Sequence, residues 1–181
     1  MSAASDRMRI DVWSDVVCPW CYIGKRRLER ALSGFEHRDG VTVHWRAFEL
    51  DPHAPAVRAG DPAERVAAKY GMTVEQARKG HERLTRLAAE EGLAYRLADV
   101  RSGNTFDAHR LVHLARRHGL EGAAEERLMS AYLCEGRAIG EPEVLVRLGA
   151  EVSLDADEVS DLLAGDDLAD AVRTDEAEAA A

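Results

Sequence analysis

Aromatic residues are scarce, with Phe, Trp and Tyr making up 6% of the 181 positions, so a core built from this chain must rely on Leu, Val, Ala and Ile. Cysteine is scarcer still, at three residues, which argues against a stapling disulfide framework. No run approaches the roughly 18 apolar residues of a membrane span, and no membrane association is expected. The opening, MSAASDRMRI, has no apolar stretch behind a basic start. No secretory signal is expected, therefore, and the cytoplasm is the expected compartment. Basic charge is in deficit, 24 Lys and Arg against 33 Asp and Glu, for a net −9. Nucleic-acid binding needs clustered positive charge, so no nucleic-acid partner is expected. The one dense basic run, Lys25-Arg26-Arg27, lies on a predicted helix and reads as a solvated face. The five prolines stand at 19, 52, 55, 62 and 142, and none follows.

What is present suits one globular domain, or one domain carrying an insertion: 46% of residues are hydrophobic and 31% charged. Residues 1–7 read as a polar tail. Arg9–Val17, rich in β-branched residues, reads as a strand. From Pro19 the apolar residues Tyr22, Ile23, Leu28, Ala31 and Leu32 recur at helical spacing, and Gly34 is a stop. Gly40–Leu50 reads as a second strand. Strand, helix, strand is the grammar of a parallel crossover unit. Beyond a Pro/Gly loop the chain reads as helix throughout. Capping boxes are expected at Asp61, Thr73 and Asp155, and Asn104 is expected to cap a helix starting near Thr105. Two strands do not make an independently stable sheet. The pattern therefore predicts a chain that stops before its fold does, and an unfinished sheet invites a homodimer.

The chemistry concentrates in DVVCPWCYIGK, where Cys18 and Cys21 bracket Pro19-Trp20. Three readings compete: a zinc site, inert buried sulfur and a redox pair. Zinc wants four ligands. His109 and His113, four apart on one predicted helix, are the candidates to complete the set, but a strand running into a helix is not a zinc knuckle. The redox reading follows from electrostatics. A helix start offers unpaired N–H groups and a positive dipole end, which stabilise the thiolate that attacks disulfides. Cys18 falls at the helix start and Cys21 about one turn in. The first is the expected nucleophile and the second the resolving thiol. Pro19 stiffens the turn, Trp20 offers a flat apolar surface, and Asp15 is placed to tune Cys21 or relay its proton. A Cys-x-x-Cys beside a crossover unit points to thioredoxin-like chemistry. Cys134 reads as a half-buried small residue, Trp13 and Trp45 as core, and His109 and His113 as core or boundary histidines.

WSDVVCPWCYIGKRRLERAL resembles the DsbA-like thioredoxin-fold family, in particular its cytoplasmic FrnE-type branch of disulfide oxidoreductases. WRAFELDP, AAKYGM, NTFDAHRLVHLAR and EVLVRLGAEVSLDADEV fit in the same order. The resemblance implies an α/β fold. Residues 8–60 would form a thioredoxin-like βαβ unit, 61–163 an all-helical insertion domain, and 164–181 a helix leading back. It also implies later strands and a cis-proline loop that this sequence lacks. Cys18 would attack, Cys21 would resolve, and Pro19-Trp20 would set the redox poise. Asn104, Thr105, Phe106 and His109 would edge a substrate groove.

The expected function is thiol–disulfide exchange with protein or small-molecule thiols and disulfides. It requires no metal and no organic cofactor, with glutathione as a candidate co-substrate. Two alternatives stand beside it. One is a glutathione-dependent isomerase or transferase acting on a small aromatic molecule, as in sister families that carry serine where this chain has Cys18. The other is a redox-linked binding or chaperone module.

Overall fold

The computed structural model describes residues 7–181, so nearly all of the expected tail lies outside the described residues. Strand β1 (Met8–Ser14), helix α1 (Pro19–Ser33) and strand β2 (Val41–Ala47) form the crossover unit. The two strands pair in parallel, from Met8 opposite Val41 to Ser14 opposite Ala47. They are the only strands among the described residues. Seven helices follow there: α2 (Pro62–Tyr70), α3 (Val74–Glu90), α4 (Phe106–Arg117), α5 (Glu121–Leu133), α6 (Pro142–Glu151), α7 (Ala156–Ala164) and α8 (Ala169–Ala179). A βαβ crossover unit is thus followed by an all-helical stretch.

Both strands are shorter than expected. At the end of β1 the chain turns, with the Cys18 N–H donating to Asp15 O at 2.9 Å. After β2 it peels away to cap that turn, and Phe48 N–H donates to Ser14 O at 3.2 Å. The caps hold in part. Thr73 and Gln76 make a full reciprocal box at 2.8 and 3.1 Å. Asp61 accepts from Ala63 N–H, and Asp155 from Asp157 and Glu158 N–H, without a return bond from the acid three residues on. Asn104 accepts from Phe106 N–H at 2.9 Å. Each such cap stabilises its helix by about 1 kcal/mol.

The main core runs through both parts of the chain. Val16, Tyr22 and Ile23 from the crossover unit join Leu111, Leu114, Leu128, Met129, Leu133, Leu145 and Leu148 in one buried cluster. Helix α1 is also clamped to α5 by Glu126, which takes Lys25 Nζ at 2.7 Å, Arg26 and the Tyr22 hydroxyl. Lys25, expected in water, is consequently only 5% exposed. Trp13, expected in the core, is 37% exposed and donates its indole N–H to Asp175 O at 2.7 Å. The segment after β2 lies so close to the helical part that glycine is required there. A Cβ at Gly103 or Gly140 would come within 2.0 or 1.9 Å of Ala56 O.

Helix α8 closes the structure against β2 and α4 through one carboxylate. Asp175 takes Arg46 Nη1 at 2.6 Å and Ala47 N–H at 3.0 Å, with His113 Nε2 at 3.0 Å. Burial alone would raise its pKa, but His113, the Ala47 N–H and Arg46 together bring it down to about 2. In the unfolded chain an Asp ionises near ~3.9. The stabilisation is thus complete above that value and is lost as the pH falls through about 2. Asp175→Asn should lower unfolding free energy by about 3 kcal/mol at neutral pH. In urea titrations the gap from wild type should close on acidification below pH ~4; a gap that stays constant with pH would refute this account.

Candidate active site

The end of β1 delivers Ser14 and Asp15 beneath the start of α1, and both are 2% exposed. Cys18 is the N-cap of α1, with φ −82° and ψ 113°, and Pro19 fills the first position. No side chain caps this helix and no acid stands in its first turn, so the dipole end is left to the sulfur. The N–H groups of Trp20 and Cys21 favour the ionised form of Cys18. The Asp15 N–H and the Ser14 hydroxyl do the same for Cys21. Tyr95, buried and stacked on Tyr22 with ring centroids 6.2 Å apart, donates its hydroxyl to Pro19 O at 2.6 Å and so pins the motif from the helical side. Trp20 is 55% exposed, and Phe48 and Leu50, on the segment bonded to Ser14 and Asp15, are exposed as well.

The two thiols interact directly, so they titrate as a pair. With Cys18 donating to Cys21, the hydrogen bond between them is the largest influence on each. It pulls Cys21 down to about 6 against the opposing cost of burial, and it pushes Cys18 up. The helix-start argument alone placed the lowered value on Cys18. The two thiols titrate as a pair, in which Cys21 is lowered and Cys18 raised. Cys21 packs against the main core, whereas Cys18 does not.

Asp15 is fully engaged. Its carboxylate accepts from Leu50 N–H at 2.8 Å and from Val17 N–H at 3.4 Å, and His109 Nε2 lies 3.5 Å away. Burial opposes protonation of His109, but the Asp15 carboxylate outweighs it and the pKa is raised. Of the residues expected to edge a groove, Thr105 and His109 are 3% and 2% exposed, so they support the site from below and present no surface to a substrate. Phe106 lies under the Arg173 guanidinium at 4.3 Å, and Asn104 donates to Glu49 at 3.2 Å. His113 faces Asp175 instead of the sulfurs. Among the described residues no group of three or more Cys, His, Asp or Glu side chains is arranged to hold a metal ion.

Sequence reasoning missed Ser14, Tyr95 and Glu125. Glu125 is 1% exposed on α5, and burial raises its carboxyl to about 7. Its signal was available: an acid on the same helical stripe as Leu128 and Met129 is a charge in an apolar face.

A helix-start Cys-x-x-Cys on a βαβ unit defines a thioredoxin-type dithiol protein. The chain belongs to the DSBA-like thioredoxin domain family, whose model matches residues 9–181, and it is a disulfide oxidoreductase of that kind. A probable DsbA oxidoreductase from Streptomyces coelicolor superposes with a TM-score of 0.90 at 46% identity, over 96% of this chain and 75% of that one. The cytosolic disulfide reductase DsbM of Pseudomonas aeruginosa gives 0.60 at 20% identity, over 94% of this chain and 77% of its own. A 2-hydroxychromene-2-carboxylate isomerase gives 0.65 at 14%, over 95% and 79%; these two share the fold. The protein YwbO of Bacillus subtilis is 28% identical over 149 residues, 82% of this chain and 68% of that protein.

Thiolate absorbance should show the pair's first ionisation near pH 6. Cys18→Ala removes the neighbouring thiol that lowers Cys21, so the midpoint of Cys21 should climb toward the ordinary thiol value of about 8.5. An unmoved midpoint would show that Cys18 does not lower Cys21.

Proposed function

We propose that the protein exchanges disulfides through a mixed disulfide at Cys18, which Cys21 resolves. The observation that carries this reading is the placement of Cys18 as the N-cap of α1, outside the core, with Cys21 one turn further in against it. In the reductive direction Cys18 passes its proton to Cys21 and, as the thiolate, attacks a substrate disulfide. One sulfur–sulfur bond forms, another breaks, and the first substrate thiolate leaves. Cys21 then loses its proton and attacks Cys18, releasing the second substrate thiolate and leaving Cys18–Cys21 oxidised. In the oxidative direction the same steps run backwards. Pro19 and Trp20 shape the approach: Tyr95 fixes the Pro19 carbonyl, and Trp20 gives an apolar surface to protein or small thiols. Asp15 holds the turn beneath them. A cytoplasmic setting agrees with the P. aeruginosa relative, described as cytosolic.

Stabilising the reduced form of a dithiol makes its disulfide more oxidising. A first ionisation near 6 falls between the thioredoxin value of about 7 and the DsbA value of about 3.5. The Cys18–Cys21 potential should accordingly lie between about −270 and −120 mV in a glutathione buffer.

A second reading, use of glutathione as co-substrate, draws on the P. aeruginosa reductase, whose structure is described with GSH. It predicts a glutathione mixed disulfide at Cys18 in Cys21→Ser.

Cys18→Ser should reduce insulin-disulfide reduction to the uncatalysed level, and Cys21→Ser should accumulate substrate covalently bound to Cys18. Undiminished turnover in Cys18→Ser would refute the proposal.

A further inference from the structure

We infer that Tyr95 is a positioning residue for the nucleophile: its hydroxyl, bonded to the Pro19 carbonyl, orients and polarises the Pro19–Trp20 peptide so that the Trp20 N–H is held ready for the Cys18 thiolate. The inference rests on the dithiol reading above and adds to it a residue from the helical part.

Attack needs the negative charge on Cys18, whereas at rest Cys18 donates to Cys21 and the charge lies there. Few donors stand at the start of α1 to favour the anion at Cys18. Pro19 has no N–H. The N–H groups of Cys21 and Tyr22 go to Cys18 O at 3.1 and 3.3 Å. The Trp20 N–H is left without a backbone acceptor among the described residues. It belongs to the second residue of the helix, from which an N-cap side chain ordinarily draws its hydrogen bond, and Cys18 is the N-cap. The Trp20 N–H accordingly favours the ionised form of Cys18.

Pro19 O and Trp20 N–H are the two ends of one planar peptide group, coupled by resonance. A donor on the oxygen draws electrons from the nitrogen and strengthens the N–H as a donor in turn. Tyr95 is that donor, at 2.6 Å. Its inward aim follows from the sequence. Along Leu93-Ala94-Tyr95-Arg96-Leu97 the first, third and fifth residues are buried and the other two exposed, the alternation of an extended segment. Arg96 N–H donates to Leu133 O at 2.8 Å and moors that segment to the end of α5. The Tyr95 ring stacks on Tyr22, which fixes its direction.

Burial pushes the Tyr95 phenol up, so it keeps its proton while the thiols titrate and no proton changes hands there. The ionisable groups facing Tyr95 and the two thiols are Tyr22 on α1, Cys134 at the end of α5 and Asp15 on the turn before α1. Each of these becomes an anion on ionising, so none of them favours charge on Cys18, and an oriented N–H supplies what they do not.

The test isolates Cys18 in Cys21→Ser and follows its alkylation by iodoacetamide against pH. Adding Tyr95→Phe, which keeps the ring and loses the hydroxyl, should move the Cys18 midpoint upward. Alkylation below the midpoint should slow by roughly two- to fourfold, and the plateau above it should not fall. Adding Tyr22→Phe instead strips a hydroxyl from the stacked ring without touching Pro19 O, and should leave the midpoint in place. An unmoved midpoint with Tyr95→Phe would overturn the role of Tyr95 and leave the dithiol reading intact. An equal shift with Tyr22→Phe would do the same, since it marks a general loosening. A Cys18 that iodoacetamide fails to alkylate at any pH would overturn the dithiol reading as well. Should Tyr95→Phe fail to fold, NMR of Cys21→Ser decides: the Trp20 amide proton and the Tyr95 ζ carbon should both shift with the Cys18 midpoint. A shift in neither, or in Trp20 alone, overturns the proposal.

Discussion

A buried carboxyl group must have its oxygens partnered wherever it sits, and here Asp15 is met from three directions. Its oxygens take the N–H groups of Val17 and Leu50 and face His109 across 3.5 Å. The partners belong to the start of α1, the segment after β2, and α4. A carboxyl group at 2% exposure is costly to bury unless such partners are in place. The position of the cysteine turn is therefore set by electrostatics as well as by strand pairing. The same residue's carbonyl accepts the Cys18 N–H, so the N-cap of α1 is fixed by the backbone of the group that its side chain locks.

From this constraint the division of labour between the sulfurs follows. Both stand near N–H donors, and their ionisations are coupled, Cys21 being lowered and Cys18 raised. What separates them is surroundings. Cys21 packs against the main buried cluster, while Cys18, half-buried like it, caps the start of α1 next to exposed Trp20. The two sulfurs thus differ in their packing, and that difference is what the proposed order of attack and resolution draws on.

The crossover unit, the α1 start at Pro19 and the Thr73 box were legible in the sequence because each is local: periodicity, a proline at the first turn, a reciprocal pair three residues apart. The cysteine pair was legible for the same reason. The pairs that join the parts were not. Asp175 finds Arg46 and His113, Glu126 finds Lys25 and Arg26, and Tyr95 finds Pro19 O, across separations that no window reveals. Trp13 misled because its ring is amphipathic: the indole N–H takes a carbonyl of α8 while the ring edge stays in solvent. His109 had two readings: its helix position made it a core or boundary histidine, and at 2% exposure it is one, whereas the family resemblance placed it at a groove edge that its burial beside Asp15 rules out.

Two strands alone would not hold a sheet, yet β1 and β2 are ordered here, and the reason lies in the helices. Val16, Tyr22 and Ile23 belong to the same buried cluster as Leu111, Met129 and Leu145, so the crossover unit has no core of its own to unfold separately. Ala56 O, pressed between Gly103 and Gly140, leaves no room for the two parts to slide. A helical segment coupled this tightly does more than cover the active site. Through Tyr95 it fixes the carbonyl of Pro19, through His109 it faces Asp15, and through Glu125 it places an ionisable group in the interior. The crossover unit presents the thiols, and the helices determine the electrostatic environment in which those thiols ionise.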